Sequence, residues 1–494
     1  MKFPKSQFST NAASGSKGST SYDKRNPISS KYFQTTYNTE NTCAYIVRPT
    51  SHDHLVEVIN DLNSKGLTYS VVSTGANLGY GGKAPLASSD VLIDLFFLKG
   101  IEVDESRSVA IIEAGVTQQE LFDYLVKHDI EYWFHVTGAP AETSIVGNAM
   151  AGGYANGVNG IRYDKIISVK GVFNDGTEFD THRGSNTKYD DSPDIRGCFK
   201  GGEHGIITEV IYELDPIPEL MQISFFSVDP HEDIASVMDS FEYFRKHNVV
   251  QSNISIFNSY RIYAENTGHC SEKILNNQLA FKQEIYKYLS DNGLDFWSGE
   301  YSGVIANNYT DKEVLEVTER YIENKLRKYI TKFKSIEVTK EDILRLRKNT
   351  EARLPENALE GMRGRILTFT GMPKYGSVSM GYWRKGHVDI NDMNLERDKC
   401  GFLWLALSLN PQSGNCLEII QNLEKIVIES NLEPFYVVDY IRPHESYIMW
   451  SIIYDRENKD DDAIAEQCYN NCVSYIETNT DVSVYRKVRS FSKR

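Results

Sequence analysis

The sequence predicts an α+β protein of two domains, and three observations lead to that class. The chain has 494 residues, too many for one small core. Strand and helix patterns alternate from Cys43 to about residue 217. Beyond that point the glycine clusters stop and longer helices and strands follow, so we expect one domain over residues 31–217 and a second over residues 218–494.

Local signals give the order of elements at the start of the first domain. Residues 43–49 (CAYIVRP) have the pattern of a short apolar strand stopped by proline, and residues 51–67 (SHDHLVEVINDLNSKGL) that of an amphipathic helix. Residues 68–74 (TYSVVST) form a strand pattern that runs directly into glycines. This order predicts a βαβ opening. The preceding residues 1–30 are rich in Ser, Gly, Lys and Asn, which is typical of a disordered leader.

Two further sequence motifs each predict one particular kind of local structure. Thr117, followed three residues later by Glu120, predicts a capping box at the start of a helix. The Asp175-Gly176 pair between two strand patterns predicts a tight hairpin. In the second domain, residues 310–333 have an amphipathic helical pattern with a basic end, which suits a helix C-terminus.

Composition excludes several classes of function. A formal net charge of -15 argues against nucleic-acid binding, which needs a basic face. No run approaches the roughly 18 apolar residues of a membrane span, and the N-terminus lacks an apolar signal core, so we expect a cytoplasmic protein without membrane contact. Cys468 and Cys472 share a helix face, but no further Cys or His pair completes a zinc site, so buried thiols and no metal are expected.

Three glycine-rich segments occur in order, each beside a predicted strand. They cover residues 73–82 (STGANLGYGG), 144–153 (SIVGNAMAGG) and 201–208 (GGEHGIIT). Glycines let backbone N–H groups turn toward an anion and approach it closely, as in a nest for pyrophosphate. Neither the Rossmann nor the P-loop spacing fits. Together the segments indicate one extended ligand lying along backbone.

The motifs RPTSHDHLVEVI, STGANLGYGGKAP, VLIDL, EAGVTQQEL, SIVGNAMAGG, the NDG hairpin and HGIITEV appear in this order. This order resembles the PCMH-type FAD-binding domain of the vanillyl-alcohol oxidase and 4-cresol dehydrogenase family, and GYGG-x-AP resembles its 4-phenol-oxidising branch. The resemblance implies a two-domain α+β fold in which an FAD domain is followed by a substrate (cap) domain. It extends from about residue 43 to 490.

The resemblance also implies cofactor contacts, mostly through backbone. The matching positions are Ser73, Thr74, Gly75, Ala76, Asn77, Leu78, Gly79, Tyr80 and Gly81 around the pyrophosphate, Ser144, Ile145, Gly147, Asn148 and Gly153 along the flavin, and Gly205, Ile206 and Ile207 at the adenine end.

In the phenol-oxidising relatives a loop Tyr and a Tyr-Arg pair hold the phenolate oxygen. Tyr80 matches the first, and Tyr485 with Arg486 matches the pair. Two phenol donors and a guanidinium around one oxygen favour its charged form. The resemblance therefore implies hydride removal from the benzylic carbon of a para-substituted phenol or a tyrosine-like metabolite, with flavin N5 as the acceptor.

The chain departs from its relatives in three places. Residues 137–143 (TGAPAET) lack the active-site Asp of some relatives, and Glu142 or His135 are the substitutes that we consider. No His or Cys stands at the positions that relatives use for covalent attachment, so noncovalent FAD is expected. Relatives continue past the Tyr-Arg pair and return to the FAD domain, whereas this chain stops at Arg494.

Two other functions stay open. Arg486 would bind a carboxylate if the substrate were a hydroxy acid, and an alcohol or a sugar would also be compatible with FAD. The third hypothesis is a flavin-binding scaffold subunit without turnover, because the base is missing and the C-terminus is short. For an enzyme the resemblance implies oxygen or a redox partner as electron acceptor, and a homodimer formed through the cap domain.

Overall fold

The computed structural model describes residues 30–158, 160–181, 194–229, 233–267, 279–280, 282–291, 293–358, 360–373, 377–385, 389, 392–486 and 488. The predicted disordered leader, except for its last residue, lies outside this part of the chain. Within it the α-helices are α1 (His52–Ser64), α2 (Gln118–Lys127), α3 (Ile145–Met150), α4 (Ile234–Lys246), α5 (Ser259–Thr267), α6 (Lys282–Asp291), α7 (Lys312–Leu326), α8 (Lys340–Lys348), α9 (Arg363–Phe369), α10 (Ser413–Glu429) and α11 (Lys459–Asn479).

The strands form four sheets. They are β1 (Cys43–Val47), β2 (Tyr69–Val72), β3 (Ser89–Asp94), β4 (Ile101–Asp104), β5 (Val109–Glu113), β6 (Tyr132–Trp133), β7 (Ile166–Phe173), β8 (Glu178–Asp180), β9 (Gly205–Glu213), β10 (Asp215–Pro216), β11 (Leu220–Val228), β12 (Ile254–Asn258), β13 (Tyr301–Tyr309), β14 (Lys332–Thr339), β15 (Cys400–Leu409), β16 (Phe435–Arg442), β17 (Glu445–Asp455) and β18 (Ser483–Arg486). No helix in the described ranges is both long and apolar enough to cross a membrane.

The sheets divide along the chain near the predicted boundary. A parallel sheet of order β1-β3-β2 and an antiparallel sheet of order β4-β5-β9-β7-β8 come first, with the small β10-β6 pair beside them. All later strands form one eight-stranded antiparallel sheet of order β14-β11-β13-β12-β16-β17-β15-β18. The α+β class is confirmed, and the division into domains at residue 217 stays a prediction.

The specific local signals are confirmed. Thr117 caps α2 and forms the capping box with Glu120, in which each side chain bonds the other residue's backbone N–H. The Asp175-Gly176 turn joins β7 to β8, with Gly176 at a φ of +90° that favours glycine. The Asp175 carboxylate accepts from the Thr177 backbone N–H and closes the turn.

The prediction of one helix over residues 310–333 is wrong at its C-terminal end. Helix α7 ends at Leu326, and β14 begins at Lys332. The basic segment pairs with β11 along the edge of the large sheet, where Ile336 and Val338 become buried. A long-range strand pairing, which a local helical pattern does not contain, decides the structure here.

The eight-stranded sheet has two different faces because side chains alternate along each strand. Leu403, Leu405 and Leu407 of β15 point to one face and pack against α4, α10 and α11. Phe402 and Trp404 point to the other face and join the core of the N-terminal half. This second face, called the inner face below, covers the glycine-rich loops.

A buried ion pair fixes the end of the first half. Asp215 on β10 accepts from Lys165 Nζ at 2.6 Å, and its other oxygen lies 3.3 Å from His135 Nε2. The Lys165 side chain is only 8% exposed and that of Asp215 22%. Burial alone would raise the pKa of Asp215, but the bonds and charges of His135 and Lys165 hold that pKa below its usual value.

The substitution Asp215→Asn should lower the free energy of unfolding by about 1.5 to 3 kcal/mol at neutral pH, because Lys165 loses a charged partner. A carboxyl with a lowered folded-state pKa stabilises above its unfolded pKa of about 4 and loses that effect as pH falls through the folded pKa. The difference in Tm between wild type and D215N should therefore shrink in acid.

The matched control is Asp129→Asn, which breaks an ion pair of similar length, 2.7 Å, between Asp129 and Lys348 with both side chains mostly exposed. Because solvent screens that pair, its Tm should hardly change. Equal Tm values for D215N and D129N at neutral pH would contradict this account of the buried pair.

Candidate active site

The loop over residues 73–82, called the glycine loop below, has the backbone of an anion nest. It follows β2 directly and contains a run of positive φ angles, found at Gly75, Leu78, Gly79, Gly81 and Gly82. In the described residues no acceptor takes a hydrogen bond from the backbone N–H groups of Gly75, Leu78 and Gly79. These donors are free for a ligand.

The three glycine-rich segments meet in space. The Ser144 N–H donates to Thr74 Oγ1 at 3.2 Å, which joins the start of α3 to the glycine loop. Ser144 Oγ donates to the Ala114 carbonyl at 2.7 Å, and the Ala114 N–H donates to the Thr208 carbonyl at 2.8 Å. One continuous network therefore joins the segments, as expected for a single extended ligand.

The second segment adds an unused polar atom. Asn148 Oδ1 is buried and has no hydrogen-bond partner in the described residues. A Cβ at Gly153 would collide with the Asn148 amide, so only glycine leaves that side chain in place. A buried amide oxygen without a donor fits the polar edge of a bound ring system, and with the free N–H groups of the glycine loop it fits FAD.

The three residues predicted to hold the phenol oxygen lie together. The Arg486 guanidinium carbon lies 3.8 Å from the centre of the Tyr80 ring, and Tyr485 is its neighbour on β18. The Tyr80 hydroxyl is buried and has no partner among the described residues. The Tyr485 hydroxyl donates to Met449 Sδ at 3.4 Å, a weak acceptor. Both phenols can therefore donate to a stronger acceptor.

Burial decides the protonation of these two tyrosines. It raises the pKa of Tyr80, and the nearby Arg486 charge only partly opposes this effect. Burial also raises the pKa of Tyr485 well above its usual value, with the proximity of Tyr80 adding to the effect and Arg486 opposing it. Both side chains keep their protons at neutral pH and act as donors.

Sequence reasoning missed a buried acid on the inner face. Asp439 of β16 is 3% exposed and accepts from the hydroxyls of Tyr154 and Ser255. Burial raises its pKa, and the hydroxyls and two nearby arginines oppose this effect. Tyr447, directly opposite Asp439 on β17, stacks on Tyr485 with the ring centres 4.5 Å apart. It links the acid to the group of Tyr80, Tyr485 and Arg486, which is called the phenol end below after its predicted role. The signal in the sequence that could have indicated this buried acid is the lone Asp in the apolar run FYVVDYI.

The two substitutes considered for the missing base have contacts of their own. The residues on either side of Glu142 accept through their carbonyls from the start of α2, and Glu142 itself is half-buried in that turn. His135 faces Asp215 and packs against Gly157. No hydrogen bond or ion pair joins either residue to Tyr80 or Arg486 in the described part of the chain. In the same residues, no group of three or more His, Cys, Asp or Glu could hold a metal.

Comparison with known proteins agrees with this geometry. A family model described as an FAD binding domain matches residues 43–182. The chain is 23% identical to 1'-carboxy-chondrochloren decarboxylase of Chondromyces crocatus, over 88% of this chain and 82% of that protein. It is 21% identical to the 4-cresol dehydrogenase [hydroxylating] flavoprotein subunit of Pseudomonas putida, over 91% and 81% of the two chains.

Two solved structures share the fold. Substrate-bound p-cresol methylhydroxylase superposes with a TM-score of 0.79 at 18% identity, over 93% of this chain and 85% of that one. The isoeugenol complex of 4-ethylphenol oxidase from Gulosibacter chungangensis gives 0.77 at 16% identity, over 93% and 84%. The matched domain and the site define an FAD-linked oxidoreductase. Residues 43–182 match an FAD binding domain, and over 93% of its length the chain shares the fold of these two flavoproteins.

The substitution Gly79→Ala should weaken FAD binding by about 5- to 150-fold, because overpacking costs about 1 to 3 kcal/mol. Its Cβ would lie 2.7 Å from Phe402 and 2.9 Å from Trp404, so the glycine loop must move away from the inner face. The measurement is the FAD dissociation constant of the reconstituted protein.

Gly66→Ala is the matched control, since Gly66 has a similar φ of +62° but no atom within 4 Å of the new Cβ. It carries the same cost of positive φ without the collision, and FAD binding should stay at the wild-type level. Equal affinities in G79A and G66A would show that the contact does not position the loop.

Proposed function

We propose that this flavoprotein oxidises a para-substituted phenol or a tyrosine-like metabolite at its benzylic carbon. The observation that carries the proposal is the buried Tyr80 side chain, whose hydroxyl has no partner in the described residues and whose ring lies under the Arg486 guanidinium. The relatives named above for 4-cresol and 4-ethylphenol support the same substrate class.

The residues of this chain would bind and ionise the substrate. Tyr80 and Tyr485 donate to the phenol oxygen, and the Arg486 charge favours the phenolate over the phenol. A phenolate pushes electron density toward the para carbon and makes the benzylic C–H a better hydride donor. FAD, when bound, supplies the hydride acceptor at N5, and the protein orients the substrate.

Asp439 is our candidate for moving a proton once the substrate is oxidised. Its carboxyl is held by Tyr154 and Ser255 and stands next to Tyr447, which stacks on Tyr485. Burial raises the pKa of Asp439 above its usual value, which favours proton uptake by this carboxyl. Glu142 and His135 remain alternative bases from sequence, without a supporting contact at the phenol end.

Three further features extend the proposal. We expect noncovalent FAD, because no His or Cys stands at the positions that relatives use for covalent attachment. Acid precipitation should release the flavin. Oxygen or a redox partner would be the electron acceptor, and we expect the protein to work in the cytoplasm as a homodimer.

The test of the substrate class compares 4-ethylphenol with 4-ethylanisole, its O-methyl ether, in anaerobic reduction of the FAD-loaded protein. The phenol should bleach the flavin and the ether should not, because the ether cannot ionise. Bleaching by both compounds, or by a hydroxy acid alone, would contradict the proposal.

Arg486→Ala should slow flavin reduction by phenols about 10- to 150-fold, since a hydrogen bond to a charged group is worth about 1.5 to 3 kcal/mol. Tyr80→Phe should slow it less, about 2- to 10-fold, because a neutral hydrogen bond contributes about 0.5 to 1.5 kcal/mol. Stopped-flow absorbance of the flavin gives both rates. The control is Arg320→Ala on the exposed side of α7. A wild-type rate in R486A would remove that residue from the site.

A further inference from the structure

The inner face carries a second buried guanidinium that the phenol chemistry does not use. Arg261, in the first turn of α5, is only 6% exposed. Its Nε donates to Glu265 Oε1 at 2.9 Å, while its Nη1 is buried without any acceptor in the described residues. A buried charged donor without an acceptor costs free energy, so this atom points to a ligand.

The charges around Arg261 do not balance. Arg365 also binds Glu265, so two guanidinium groups share one carboxylate. The other nearby acid, Asp439, already accepts from Tyr154 and Ser255, and in the described residues no hydrogen bond joins it to Arg261. The cluster therefore has a surplus positive charge, which an anion would compensate.

This surplus charge and the phenol end lie at two separate places on the inner face. The Arg261 guanidinium lies 5.4 Å from the Trp404 ring, and Trp404 in turn packs on Gly79, next to Tyr80. Ala406, two residues along β15 from Trp404, is opposite Arg486. With a strand spacing of about 4.8 Å and a rise of about 3.4 Å per residue, the Cα atoms of Arg486 and Trp404 are about 8 Å apart. Since the Arg261 guanidinium lies beside the Trp404 ring, the separation between Arg261 and Arg486 is on the order of 10 Å.

That separation fits a phenol whose para side chain ends in an anion two or three carbons away. We propose that the substrate carries a carboxylate on this side chain and that Arg261 binds it through Nη1, which makes Arg261 a specificity-determining residue. The proposal rests on the proposed function, because it places the phenol oxygen at Arg486. A charge-assisted hydrogen bond to a carboxylate is an ordinary role of a guanidinium N–H group.

The experiment compares two substrates of nearly the same shape, 3-(4-hydroxyphenyl)propionate and 4-propylphenol, in anaerobic reduction of the FAD-loaded protein. The wild type should show an apparent Kd at least about 10-fold lower for the carboxylate, since a charge-assisted pair is worth that factor or more. The variant Arg261→Gln should raise the Kd of the carboxylate about 10- to 150-fold and leave that of 4-propylphenol unchanged.

Arg261→Lys is the conservative variant, since it keeps the charge and should recover part of the affinity for the carboxylate. The FAD content and Tm of each variant are measured together with the kinetics. Loss of FAD in R261Q but not in R261K would assign the positive charge at this position to the cofactor and overturn the proposal. An equal increase of both Kd values in R261Q, or a wild type without preference for the carboxylate, would also overturn it.

A third compound, 3-phenylpropionate, separates this proposal from the proposed function. Its binding is followed by the change that it causes in the flavin spectrum. If it binds in an Arg261-dependent way while neither phenol reduces the flavin, the carboxylate site stands and the phenol oxidation fails. If 4-propylphenol reduces the flavin and neither carboxylate depends on Arg261, phenol oxidation stands and the carboxylate site fails.

Discussion

The contact between the Arg486 guanidinium and the Tyr80 ring is the constraint on which the site depends. Tyr80 belongs to a loop held by the first half of the chain, and Arg486 to the edge strand of the eight-stranded sheet. Neither half positions both groups. The collision that a Cβ at Gly79 would make with Phe402 and Trp404 shows how closely the loop must approach that sheet. The glycine loop and the candidate substrate site are therefore both positioned by this one interface.

Burial sets the chemistry of this interface. Tyr80 and Tyr485 lie among apolar and aromatic side chains, where their phenols stay neutral and where a nearby cation is poorly screened. One guanidinium and two neutral donors then favour an anion at one point. At the other end of the inner face, the Arg261 guanidinium and the Asp439 carboxyl are both buried. The site is polar at both ends and aromatic between them.

Local sequence patterns predicted the parts of this structure that depend on neighbouring residues. The capping box at Thr117, the Asp175-Gly176 hairpin and the glycine loop each have a physical cause within a few residues. The presence of Tyr80, Tyr485 and Arg486 at one site came from resemblance to a family, because over 400 residues separate Tyr80 from the other two.

The features that sequence reasoning missed depend on long-range pairing. Asp439 and Arg261 become neighbours only because β12 pairs with β16, and an apolar run with one Asp does not indicate its partner. The helix expected up to residue 333 ends early for the same reason, since β11 takes the following segment as a strand. The hydrophobic periodicity of a short segment does not determine the order of strands in an eight-stranded sheet.

The most direct test of the central claim is whether the site binds a phenol as its anion. The FAD-loaded protein would be titrated anaerobically with 4-nitrophenol at a pH below the pKa of the free compound, and the difference spectrum would be followed at the phenolate band. Our account predicts that the bound ligand absorbs as the phenolate in wild type and as the neutral phenol in R486A. A neutral spectrum in the wild-type complex would contradict it.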